Sequence, residues 1–272
     1  MENKIPIRFF VIAFLWSWFF MGAILIFTKI GIISETNAFM SPIGFPLALI
    51  GAFGPAMGAF ISLRSIKGKG AIKDFIKSFL SLKFGWKVWI SIFLFFGLTT
   101  LIAWIIPELF GEDRLSSYLP SIYIFPIYLL LMVFFGGGQE EIGWRGYILP
   151  FLEKRFGLII GSLILGIIWA IWHLPLWFIP GTTQTYMNFF VFMSMTIGYS
   201  FIFSWVIKAS GNRLLSGLFA HGAANAFMPL FPTLILEHNV KQTRFLIYCL
   251  LVLTIGIIIV SIRTYKSKNT SA

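Results

Sequence analysis

The chain alternates long runs of apolar residues with short segments that carry most of its charge. Eight of these runs come close to the roughly 20 residues that an α-helix needs to cross a bilayer. They are Ile7–Phe27, Ile43–Leu63, Val88–Ile106, Ile122–Gly143, Leu158–Phe178, Phe189–Ile207, Leu214–Phe231 and Phe245–Ile262. The pattern therefore predicts an all-α, polytopic membrane protein of about eight transmembrane helices.

The amino-acid composition also indicates a membrane protein. Hydrophobic residues make up 58% of the 272 positions and charged residues 11%, against about 25% charged residues in soluble domains. The single cysteine, Cys249, lies in an apolar run and excludes a disulfide or a cluster of thiolate ligands. No repeat or linker divides the chain, so we expect one integral membrane domain, 1–272. The first residues lead into an apolar run without a small-residue cleavage site, which predicts a retained first span.

The net charge of +11 would suit a nucleic-acid binder, but the basic residues lie in loops between the apolar runs. They concentrate in the second, fourth and sixth loops and in the tail: Arg64, Lys67, Lys69, Lys73, Lys77, Lys83, Lys87; Arg145, Lys154, Arg155; Lys208, Arg213; Arg263, Lys266, Lys268. Basic loops face the cytoplasm. We therefore expect a multi-pass protein of the cell membrane with both termini in the cytoplasm and no nucleic acid as partner.

The second loop, Lys67–Lys87, has apolar residues three and four positions apart, with Lys73 and Lys77 between them. This spacing predicts an amphipathic helix on the anionic inner leaflet, with membrane lipid as its partner. An ordinary basic loop that happens to be helical explains the same pattern.

Two adjacent acids, Glu140 and Glu141, follow three glycines in the fourth apolar run. Glu141 and Arg145 stand at i,i+4 in the favourable order for a helical ion pair, and Glu140 points about 100° away around the helix. If the helix continues to Leu149, Glu140 lies about 13 Å inside its cytoplasmic end. Ionisable groups at membrane depth are functional by default, although two acids at the end of a span can also lie among lipid headgroups.

Two of the three histidines, His173 and His221, also lie in apolar runs, and Asn225 follows His221 at i,i+4. A lone histidine in a membrane is more often a helix–helix hydrogen bond, but two histidines, an amide and a buried acid favour a site. His238 is given no role.

These groups suit two kinds of chemistry. A carboxylate and an imidazole can activate water, while a histidine and an amide donate to an oxyanion. Alternatively, Glu140, His173 and His221 hold a zinc ion with an open water position. The sequence has no His-Glu-x-x-His or Gly-x-Ser-x-Gly motif, which disfavours zincin and serine chemistry. Zinc as a cofactor stays open.

Three motifs stand in order on successive spans: Glu140-Glu141-x-x-x-Arg145, an aromatic-x-x-x-His ending at His173, and His221-x-x-x-Asn225. Together they resemble the CPBP family (CAAX protease and bacteriocin-processing, also called Abi), which includes the type II CAAX prenyl endopeptidases. The resemblance covers roughly 134–230, and Trp169 stands where the family usually has Phe.

The resemblance implies an intramembrane endopeptidase acting on a peptide or a prenylated protein. Glu140 would activate water beside His173, while His221 and Asn225 would bind the oxyanion. Glu141 and Arg145 would support them. Members of the family have been described as metalloproteases and as glutamate proteases, so the resemblance does not decide on zinc.

We expect the site inside the helix bundle, facing the cytoplasm. A straight fifth span beginning at Gly157 puts His173 about 24 Å deep, about 10 Å beyond Glu140, so 151–162 is predicted to lie partly along the interface. The alternatives are a non-enzymatic immunity or scaffold protein, or a transporter. We find no inverted repeat in support of transport.

Overall fold

A computed structural model describes residues 5–79, 81–82 and 84–269. In this part of the chain every regular element is helical, which confirms the all-α prediction. Its α-helices are α1 (Ile7–Lys29), α2 (Gly44–Ala52), α3 (Gly54–Lys67), α4 (Lys69–Phe79), α5 (Trp86–Ile105), α6 (Phe125–Phe134), α7 (Glu141–Gly143), α8 (Leu149–Trp172), α9 (Phe189–Ala209), α10 (Leu214–Leu230) and α11 (Thr243–Asn269).

The protein is a multi-pass membrane protein. Within the described residues, five helical stretches are long and apolar enough to cross a bilayer, or six if α2 and α3, which meet at 42°, form one span. The predicted number of eight is not confirmed. Ile122–Phe178 counts as one stretch of 57 residues, and α10 has 17 residues.

The predicted fourth span is wrong as a continuous helix. Helix α6 ends at Phe134, and Gly137 has φ +128° and ψ −36°, which a residue with a Cβ rarely adopts. The chain then restarts as a 3₁₀ turn, Gly138–Glu140, followed by α7 and a π-helix, Trp144–Ile148. The glycines therefore separate Glu140 from the helix that precedes it.

Helix α8 contains a second break. Gly157 has φ 77° and ψ 167°, so Leu149–Phe156 and Leu158–Trp172 are two helical pieces on either side of a kink. The straight-helix geometry that sets His173 beyond Glu140 does not apply. The kink at Gly157 falls within 151–162, and the position of this segment along the membrane interface stays a prediction.

Helix α4 confirms that the second loop is helical over Lys69–Phe79. Phe75 packs edge-on against Phe60 of α3, with ring centroids 6.2 Å apart, while Lys73 and Lys77 are exposed. This is the amphipathic arrangement that the spacing predicts. Contact with lipid stays a prediction, and Leu80, Lys83 and the terminal segments 1–4 and 270–272 lie outside the described residues.

Close helix packing holds the bundle around α9. A Cβ on Gly198 would lie 2.7 Å from the backbone nitrogen of Leu253 in α11, and one on Gly166 would lie 2.7 Å from Cα of Ile197. Small residues let membrane helices approach in this way. Hydrogen bonds reinforce the contact, including one from Ser162 Oγ to Ser204 Oγ at 2.8 Å.

The loops form two distinct ends of the molecule. The first, third, fifth and seventh loops (30–43, 106–121, 173–188 and 231–242) meet at one end, which we call the odd-loop end. Phe39 N–H donates to the Pro180 carbonyl at 3.0 Å, and Tyr118 Oη donates to the Leu234 carbonyl at 2.8 Å. The second, fourth and sixth loops (64–87, 144–157 and 208–213) form the other, basic end, where Lys208 pairs with Glu153 at 2.6 Å.

Arg244 ties the odd-loop end together. Its side chain is 2% exposed, and it donates to the carbonyls of Trp104 at 3.1 Å and Asp113 at 2.7 Å and to the Glu112 carboxylate at 2.9 Å. One side chain at the start of α11 therefore fixes the end of α5 and the third loop.

We predict that Arg244→Ala lowers the stability of the protein by about 3 kcal/mol, because it leaves buried acceptors without a donor. Thermal unfolding in detergent measures the effect. Arg114→Ala is the matched control, since Arg114 pairs with Glu108 but is 67% exposed, and surface pairs contribute little. Equal melting temperatures for the two variants would contradict the stabilising role of Arg244.

Candidate active site

Glu140 is 5% exposed and ends the 3₁₀ turn that follows the glycines. Its Oε2 accepts a hydrogen bond of 2.7 Å from the indole Nε1–H of Trp169 in α8. A buried carboxylate needs donors, and this one orients the group, while Oε1 takes no part in the bond. The Glu140 side chain also lines the cavity described below.

Glu141 is fully buried and joins two other site residues. Its Oε1 accepts hydrogen bonds from Arg145 Nη1 and from His221 Nδ1, both at 2.9 Å. The predicted i,i+4 pair between Glu141 and Arg145 is confirmed. The Arg145 guanidinium also lies over the rings of Trp169, at 4.9 Å, and Phe203, at 5.1 Å, which suits a buried guanidinium. Glu141 thereby holds an imidazole of α10 beside the segment that carries Glu140.

His173 and His221 both use Nδ1 for a hydrogen bond within the protein. His173 Nδ1–H donates to the Trp169 carbonyl at 2.8 Å, and His221 Nδ1–H donates to Glu141. Because each Nδ1 faces an acceptor, it carries the proton, and Nε2 of each ring stays available. Backbone and carboxylate acceptors therefore fix the tautomer of both rings.

Asn225 is held by the glycine break. Its Nδ2 donates to the carbonyl of Gly136 at 2.7 Å, which leaves a second N–H on the same nitrogen. A Cβ on Gly137 would lie 2.5 Å from His221 Nε2 and 2.6 Å from Asn225 Nδ2. Glycine is therefore required here for space as well as for its backbone angles.

These four residues share one cavity of about 520 Å³. Glu140, His173, His221 and Asn225 all line it, so the structure brings the predicted site residues together inside the helix bundle. That the site faces the cytoplasm stays a prediction. The cavity runs toward the odd-loop end, where Met40, Tyr118, Gly181, Thr183 and Leu236 line it.

The residues do not fit a zinc site. Within the described chain, no group of three His, Cys, Asp or Glu side chains comes close enough to hold a metal ion. The arrangement instead suits a carboxylate, two imidazoles and an amide that act on a water molecule and a carbonyl.

Trp169 is the residue whose role the sequence does not reveal. The i,i+4 spacing to His173 predicts that both lie on one helix face, and a buried indole N–H needs an acceptor. Which acceptor it finds depends on the kink at Gly157 and the break at Gly137. A phenylalanine at this position would pack in the same way but would have no donor for Glu140.

The part of the chain that carries the candidate site also matches known proteins. Residues 122–227 match the model of the family described as type II CAAX prenyl endopeptidase Rce1-like. The chain is also 28% identical over 144 residues to "CAAX prenyl protease 2" of Methanococcus maripaludis. That alignment covers 51% of this chain and 52% of the relative, so the chain spans about half the length of the curated relative it matches. The matched family segment contains all three motifs behind the predicted resemblance.

We predict a coupling free energy of about 1–3 kcal/mol between Trp169 and Glu140, because the N–H donates to a carboxylate in a buried setting. Unfolding of Trp169→Phe, Glu140→Ala and the double variant measures it. Trp172→Phe is the control. Trp172 is equally buried, and its indole nitrogen has no hydrogen-bond partner among the described residues. Additive effects of Trp169→Phe and Glu140→Ala would contradict the bond.

Proposed function

We propose that this chain, whose residues 122–227 match the model of the type II CAAX prenyl endopeptidase Rce1-like family, is an intramembrane endopeptidase. The observation that carries the proposal is the shared cavity of Glu140, His173, His221 and Asn225. Three separate parts of the chain deliver these side chains, and buried partners orient each of them. Such support is typical of a catalytic group rather than of a packing contact.

Glu140 is the proposed general base. Its carboxylate takes a proton from a water molecule, and the oxygen of that water adds to the carbon of the scissile carbonyl. Trp169 keeps the second carboxylate oxygen in place during the transfer. His173, with its proton on Nδ1, offers the Nε2 lone pair as an acceptor that orients the same water.

The carbonyl oxygen becomes an oxyanion in this step, and Asn225 and His221 are the proposed donors. Asn225 has a second N–H beyond the one that bonds Gly136. The second proposed donor is Nε2 of His221 in its doubly protonated form, with Nδ1 held by Glu141. Fixed donors that meet developing charge lower the barrier of such a reaction. The C–N bond then breaks, and Glu140 returns its proton to the leaving nitrogen.

We propose this chemistry without a metal, since the described residues do not offer three ligands at one point. The substrate we propose is a peptide or a prenylated protein segment, and peptide processing of the bacteriocin type falls within this class. We also propose that the protein lies in the cell membrane with both termini in the cytoplasm, because the loops of the basic end carry the positive charge. No observation favours a transporter or a scaffold.

We predict that Glu140→Gln lowers peptide cleavage by about 10²- to 10⁴-fold, because an amide keeps the shape of the carboxylate but cannot take the proton. The assay uses purified protein in lipid and a peptide library that includes prenylated tails. Glu153→Gln is the control, because Glu153 is an acid of the basic end that pairs with Lys208. Cleavage by Glu140→Gln at the wild-type rate would remove Glu140 from the mechanism.

The same assay distinguishes an enzyme from a non-enzymatic protein of the same fold. Wild-type protein that cuts no peptide of the library would favour a non-enzymatic immunity or scaffold protein. In that event, a Glu140→Gln variant that retains the cellular phenotype would point the same way.

We further predict that cleavage is unchanged by 1,10-phenanthroline or EDTA. Zinc chemistry requires a bound ion whose removal abolishes the activated water, whereas the proposed reaction uses Glu140 alone as the base. Activity is measured before and after dialysis against each chelator. Loss of cleavage that added zinc restores would show that a metal takes part.

A further inference from the structure

The cavity that holds the candidate site opens at one end of the molecule. Of its lining residues, the exposed ones are Met40, Tyr118, Gly181, Thr183 and Leu236. All five belong to the four loops of the odd-loop end. Within the described chain, no lining residue comes from the loops of the basic end. A molecule in solution therefore reaches Glu140 past the odd loops.

Contacts between the loops hold them together around this opening. The first loop bonds the fifth through Phe39 and Pro180, and the third bonds the seventh through Tyr118 and Leu234. The rings of Tyr186 and His238 join the fifth loop to the seventh, with centroids 4.5 Å apart. These contacts place all four loops on the same side of the bundle.

Charge assigns this side to one face of the membrane. The four odd loops contain five acidic and two basic residues, whereas 64–87, 144–157 and 208–213 contain two acidic and twelve basic residues. Short loops rich in lysine and arginine stay in the cytoplasm. The basic end is therefore the cytoplasmic end, and the opening of the cavity is on the opposite face.

We infer that the cavity takes its substrate from the non-cytoplasmic side of the membrane, and that this substrate is an uncharged, apolar peptide segment. The inference rests on the proposed function and differs from the sequence expectation of a cytoplasm-facing site. It follows because the residues that line the cavity connect Glu140 to the odd loops and to no loop of the basic end. Helix α6 has ten residues, or about 15 Å, between its start near the third loop and the glycine break.

The residues that line the cavity indicate which kind of peptide segment it takes. Five methionines line the described cavity, and Glu140 is the only Asp, Glu, Lys or Arg among the lining residues; the methionines are Met40, Met132, Met187, Met195 and Met228. Methionine adapts to apolar groups of varied shape. An acidic side chain would find no Lys or Arg along this path, and a basic one would find only Glu140, the proposed base; burying a charge unpaired is costly. Apolar side chains are therefore admitted and charged ones rejected.

Cysteine labelling tests the direction of access. Cys249 is fully buried, so the native chain gives the background. Thr183→Cys and Met40→Cys place a thiol at the rim, and Lys73→Cys places one on the exposed face of α4 at the basic end. Spheroplasts that express each variant are treated with a membrane-impermeant maleimide, before and after permeabilisation.

We expect both rim variants to be labelled in intact spheroplasts and Lys73→Cys to be labelled only after permeabilisation. The opposite pattern overturns the inference, as does equal labelling of both ends in intact spheroplasts. Two rim variants that stay unlabelled in detergent, while Lys73→Cys reacts, would show that the opening is closed and would overturn it as well.

A second arm links the opening to the reaction. A bulky maleimide on Thr183→Cys is expected to abolish most peptide cleavage, whereas the same reagent on Lys73→Cys leaves it unchanged. Undiminished cleavage with a blocked rim would show that substrate enters elsewhere. The labelling pattern does not depend on activity, so a protein that is labelled as expected but never cuts a peptide contradicts the proposed function and not the direction of access.

Discussion

The structure of the site depends on one buried charge interaction, the Glu141 carboxylate that accepts from both Arg145 and His221. Neither acid nor base of the i,i+4 pair reaches solvent. Removing one partner of such a pair costs about 3–5 kcal/mol, because the other charge is left buried alone. This cost ties the segment after the glycine break to α10. It also fixes the tautomer of His221 and leaves Glu140 free of Arg145.

The two adjacent acids thus have separate tasks. Glu141 accepts hydrogen bonds from Arg145 and His221. Glu140 accepts one from the neutral indole of Trp169 and lines the cavity. The short 3₁₀ turn makes the division possible, since it begins directly after a backbone that only glycine readily adopts. A regular helix through this stretch would have continued α6 and placed both acids on its surface.

Much of the site could be predicted from the sequence because it rests on local rules. Spacing of i,i+4 predicts that Glu141 meets Arg145 and that Trp169 shares a face with His173. The all-α class follows from apolar runs of bilayer length. What the sequence did not show depends on where helices break. Nothing in a run of apolar letters reveals that α6 stops at Phe134, or that Trp169 finds Glu140 as its acceptor. The number of spans is not confirmed for a related reason: the break at Gly137 falls inside the predicted fourth span, and the bend between α2 and α3 falls inside the predicted second span.

The loops around the opening act as a size filter. Arg244 holds the third loop, and hydrogen bonds join the first loop to the fifth and the third to the seventh, so these contacts help to set the width of the opening. A volume of about 520 Å³ is in the range that encloses a drug-sized molecule, which amounts to a few residues of extended chain. On the proposed function, this volume admits a terminal tail or an unfolded segment of the substrate and excludes a folded domain.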